Sequence, residues 1–65
     1  MKNNITKRLY SECEKFRIPK ERAEKMVEEH VNLHKGFITS FGKSESIMEK
    51  NVIHPFIKNL IRLTS

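Results

Sequence analysis

The sequence predicts an all-α protein, a compact three-helix arrangement around one long central amphipathic helix. Apolar residues recur at helical spacing in three separate stretches. The joints between them hold the residues that start and stop helices, and no stretch alternates in the two-residue period of a strand. Ile38 to Phe41 is mildly strand-like but continues a helical arc.

The first helix is expected over about residues 4–16. Ile5, Leu9, Cys13 and Phe16 are spaced by four, four and three, which places them in an arc of about 80°, suited to one neighbour. Tyr10 lies at the arc's edge, and Lys7, Arg8, Ser11, Glu14 and Lys15 are expected to face out. The connection is Arg17-Ile18-Pro19. The residue before a proline avoids the helical region, so Ile18 should be extended and free to staple the next helix.

The second helix is expected to run unbroken over about 19–41. Ala23, Met26, Val27, His30, Val31, Leu33, His34, Phe37, Ile38 and Phe41 share one arc of about 160°. That is wide enough for a neighbour on each flank. Pro19 suits a helix start, Glu21 and Glu24 suit the positive end of the helix dipole, and Gly42 suits a left-handed closing residue.

The third helix is expected over about 47–63. Ser46 followed by Glu49 matches a capping box. Met48, Val52, Ile53, Phe56, Ile57, Leu60, Ile61 and Leu63 spread over about 220°, wider than one packed face. Val52, Phe56, Leu60 and Leu63 can cover the other helices, which leaves Ile57 and Ile61 pointing elsewhere. Pro55 removes a backbone donor inside this helix, so a kink or split is expected there.

Composition bounds the function. Sixty-five residues make one domain, 1–65. A chain this short buries about 60% of its unfolded surface, so its stability is marginal. A single cysteine excludes an intrachain disulfide, and a reducing, cytoplasmic setting is the expectation. No apolar run approaches the length of a membrane span, and the first eight residues do not read as a signal peptide. Alanine is nearly absent while Lys, Asn and Ile abound, a bias that suits a low-GC bacterium, its phage or a mobile element.

An enzyme is not expected. There is no aspartate, no carboxylate pair on an apolar face, and no glycine-rich phosphate loop. No cofactor is implied. His30 and His34, four apart on one face, have a spacing that can share a metal with Cys13 or His54, but the order of a metalloprotease helix is absent and packed imidazoles are the expected reading. Cys13 reads as a small core residue.

Two binding functions follow. The leading one is a small regulatory protein, an inhibitor or adaptor, that binds a larger protein stoichiometrically. Its expected anchors are Phe56, Ile57, Leu60 and Ile61, with Lys58 and Arg62 beside them. The same surplus apolar face also suits a homodimer. The alternative is a small DNA-binding regulator. The net charge is +5, and Lys7, Arg8, Lys15, Arg17, Lys20, Arg22 and Lys25 make a basic patch. Against it stand a short connection without glycine and carboxylates at the start of the would-be recognition helix. A membrane-surface role for the third helix is disfavoured by its weakly basic polar stripe.

Overall fold

Apolar spacing and helix stops organise the chain into successive helices. The computed structural model describes residues 4–64. Every regular element among them is helical: α1 (Asn4–Lys15), α2 (Lys20–Leu33), α3 (Lys35–Phe41), α4 (Glu45–Met48), a π-helical segment (Glu49–Ile53) and α5 (His54–Thr64). The last three run on without a break, since Glu49 and His54 keep helical backbone angles. The chain therefore forms four rods.

The core is the meeting of three faces. Leu9 and Cys13 from α1, Ala23 and Val27 from α2, and Ile53, Phe56 and Leu60 from the last rod form one buried cluster. Ile5, Phe16, Ile18, Met26, Val31 and Ile57 pack around it. The α1 stripe is therefore the predicted one, and Ile18 packs against the same cluster. The radius of gyration is 11.2 Å, near the roughly 10.7 Å expected of a compact domain this size.

The turn after α1 closes by a device the sequence does not advertise. The Ile18 amide donates to the Cys13 carbonyl and the Arg17 amide to that of Glu14, both at 3.0 Å. This is the Schellman pattern, and it needs a left-handed residue at position 17. Arg17 supplies it at φ 57°, where glycine is the usual choice. Arg17→Gly is therefore expected to stabilise the fold by about 0.5–1 kcal/mol, read as a raised urea midpoint with unchanged slope.

The expected single helix over 19–41 is two. α2 ends at Leu33, and His34 sits at φ −103°, ψ 19° before α3 begins. The cause is local. The His34 ring Nδ1 lies 3.0 Å from the His30 carbonyl, the same oxygen that accepts the His34 amide. Such side-chain competition loosens a helix, and Gly36 just beyond adds little helical preference. Beyond this break the apolar arc does not reach the core: α3 has no buried residue. Leu33, the last residue of α2, is 79% exposed.

Gly42 is not left-handed; its φ is −61°. Its role is close approach, since a Cβ there would collide with the Ile38 carbonyl oxygen. The cap of the last rod is Ser44 rather than Ser46. Ser44 Oγ accepts from the Ile47 amide at 3.4 Å, and its carbonyl accepts from Met48 at 3.0 Å. Glu49 does not close a capping box; it faces α1.

The expected disturbance at Pro55 takes the form of a π turn. Proline cannot donate, and its ring would press on the carbonyl four residues back. Widening the preceding turn relieves that contact, and the His54 amide donates to Glu49, five residues back. No helix among the described residues is long and apolar enough to cross a membrane.

Candidate functional site

The expected anchors on the last rod divide between core and surface. Phe56 and Leu60 are 2% and 0% exposed and belong to the cluster just described. They hold the fold together and offer nothing to a partner. Leu63, expected to cover a neighbour, is instead 52% exposed. Ile57 is half-buried against the core, while Lys58, Ile61 and Arg62 are exposed. Pro55, Lys58, Asn59, Ile61 and Arg62 line a shallow depression of about 530 Å³ on the outside of α5. Its apolar centre is Ile61, 50% exposed, and its charged lining is cationic.

The basic patch of the first half is partly committed inside the chain. The Arg8 guanidinium makes a two-pronged pair with Glu49 at 2.9 and 2.8 Å, and its Nε donates to Glu12 at 3.0 Å. Hydrogen bonds to Glu49, then to Glu12, hold that guanidinium still more firmly in its charged form. Lys15 reaches Glu12 at 3.4 Å. Lys7, Arg17, Lys20, Arg22 and Lys25 remain exposed. Arg8, expected to face out, thus ties α1 to the π segment.

The buried end of this network is Glu12, 4% exposed. Its charge and the surrounding apolar packing both push the Cys13 thiol up, burial more so than the charge. Cys13 is therefore a poor nucleophile and packs in the core.

His30 is buried, and its Nε2 donates to the Val52 carbonyl at 2.8 Å, joining α2 to the π segment. Its ring lies 5.0 Å from Phe56 and 4.3 Å from His34. Burial pulls its pKa down; the Val52 bond opposes this, and His34 adds a smaller lowering. Among the described residues no three His, Cys, Asp or Glu gather as metal ligands.

A lowered histidine pKa makes stability depend on pH. The unfolded chain takes up a proton at His30 near pH 6.5, while the folded chain resists it. Stability from this group is thus complete above about pH 6.5 and falls as pH drops toward the folded value. Urea midpoints are expected to decline from pH 7.5 to pH 5, and His30→Gln is expected to flatten that decline. The chain matches no protein-family model, and no curated protein or solved structure matches it.

Proposed function

We propose that the protein is a small non-enzymatic regulator that binds a larger protein one-to-one through the outer face of α5. One observation carries the reading. Ile61 stands half-exposed beside Lys58, in a depression also lined by Pro55, Asn59 and Arg62. An apolar anchor with a cationic rim fits an apolar pocket edged by Asp or Glu. The overall charge of +5 favours the same kind of partner.

The test passes cell extract over the immobilised chain, identifies what is retained, and titrates the purified partner. The expected result is one-to-one binding that added salt weakens. Ile61→Glu is expected to weaken it about thirtyfold or more, the loss of one interfacial hot spot. Wild-type affinity in that variant would sink the reading. Ile61 lies outside the core, so the variant keeps its fold.

A second reading, binding to the nucleic-acid backbone, draws on Arg17. It is exposed, held at a positive φ, and lies in the turn between Lys15 and Lys20. Retention on duplex DNA that salt removes, and that Arg17→Glu with Arg22→Glu abolishes, would favour it. It is the weaker reading because Arg8 and Lys15 are engaged with carboxylates of the chain itself.

A further inference from the structure

α3 gives no side chain to the core, yet its sequence is amphipathic. At about 100° per residue, Phe37, Phe41 and Ile38 share an arc of about 100°, with Gly36, Thr39 and Ser40 on the other side. Phe37 and Ile38 are half-buried. Phe41 is 45% exposed, and its ring lies 4.9 Å from that of Phe37. Leu33, just before α3, is 79% exposed. The fold thus holds two paired rings and a leucine at a place where the core makes little use of them.

Charge selects what such a face meets. From His30 to Ser44 the sequence carries two lysines, Lys35 and Lys43, and no carboxylate, although the chain has 8 elsewhere. Both lysines are exposed, and they flank the two ends of α3. Neither forms an ion pair among the described residues. Phe41 and Lys43 line one shallow depression of about 570 Å³ together with the hydroxyl residues Thr39, Ser40 and Ser44. A ring, an ammonium and hydroxyls side by side match the boundary of a phospholipid layer, where acyl chains meet phosphates.

Shape favours the same occupant. A rod that buries nothing stands on the outside of the fold, so a protein partner would need a pocket cut to fit it. A lipid layer is fluid and needs none. Its anionic headgroups also attract lysines, whereas carboxylates in this stretch would have been repelled.

We infer that α3 docks the protein on an anionic phospholipid surface. Phe41 and Leu33 enter the acyl boundary, and Lys35 and Lys43 meet the phosphates. The net charge of +5 adds attraction at longer range. A seven-residue helix would not stay folded alone in water. Here the fold presents it preformed, so docking does not have to order it. The face shares no residue with the Ile61 depression, so lipid and protein partner can be held together and tested apart.

The experiment is co-sedimentation of the full chain with vesicles of phosphatidylcholine, alone or with about one-third phosphatidylglycerol. The expected result is retention on the mixed vesicles that salt weakens, and little on the neutral ones. Phe41→Ser, at an exposed position, is expected to keep the circular-dichroism spectrum and weaken partitioning about tenfold. Lys35→Glu with Lys43→Glu is expected to weaken it about thirtyfold or more. Ile61→Glu leaves it unchanged. The chain has no tryptophan, so Phe41→Trp reports insertion directly, as an emission that shifts to the blue on the mixed vesicles. Wild-type chain left in the supernatant of the mixed vesicles overturns the inference, as does equal retention on neutral ones. So does retention that Phe41→Ser and the lysine variant both leave intact, or a Phe41→Trp emission that stays at its aqueous wavelength.

Discussion

Phe56→Ala is expected to unfold most of the protein at 37 °C. Phe56 is the largest of the fully buried side chains. It belongs to the cluster that joins all three packing faces, and its ring stacks at a tilt on His30. Removing a buried phenylalanine costs about 3–5 kcal/mol in lost transfer energy and cavity. At about 0.05–0.15 kcal/mol per residue, a chain of this length has only about 3–10 kcal/mol in total. The loss is therefore comparable with the whole. Far-UV circular dichroism against urea reads it directly, and Ile61→Ala, on the exposed side of the same helix, should move the midpoint little. A Phe56→Ala midpoint equal to wild type would mean that the last rod does not pack on this face. The same comparison separates Phe56, which maintains the fold, from Ile61, which is free to meet a partner.

Sequence spacing was a good guide wherever one periodic face met one neighbour. Ile5, Leu9, Cys13 and Phe16 pack along α1 as their spacing requires, and Ala23 to Val31 do the same on α2. It misled where a helix broke without a break residue. Nothing between Leu33 and Gly36 forbids a helix. The break comes from His34 bonding back to the His30 carbonyl, a choice of rotamer that composition does not record. Two serines, Ser44 and Ser46, both precede an apolar run, and only Ser46 has a glutamate three residues on. The rule favoured Ser46. Glu49 is instead drawn to Arg8, a contact across 41 residues of chain that no local pattern encodes.

The candidate site was half legible. The breadth of the last helix's apolar arc marked a surplus surface, and Ile61 lies on it. The same arc could not separate anchors from core, because Phe56 and Leu60 differ from Ile61 only in which neighbour they meet. Glu12 is legible in the spacing of α1. At about 100° per residue it lies about 20° from the direction of Ile5, inside the apolar stripe. A glutamate there must either be paired or turn the helix away from its neighbour.

That glutamate carries the second large effect. Arg8→Met is expected to cost about 2 kcal/mol, more than a surface ion pair would. Glu12 would be left buried with, among the described residues, Lys15 at 3.4 Å to answer its charge. Glu49 would also lose its two-pronged partner, but its side chain is 38% exposed and can hydrate. The asymmetry makes a testable pattern. Glu49→Gln alone should cost under about 1 kcal/mol. Adding Glu12→Leu to Arg8→Met should recover most of the loss, because it removes the uncompensated charge and extends the stripe of Ile5, Leu9 and Cys13. Urea denaturation of the three variants reads each step. If Glu12→Leu deepened the Arg8→Met loss instead, the buried carboxylate would be a positive contributor in its own right. The network would then stabilise the packing of α1 on the π segment through its hydrogen bonds rather than by satisfying a charge the helix buried.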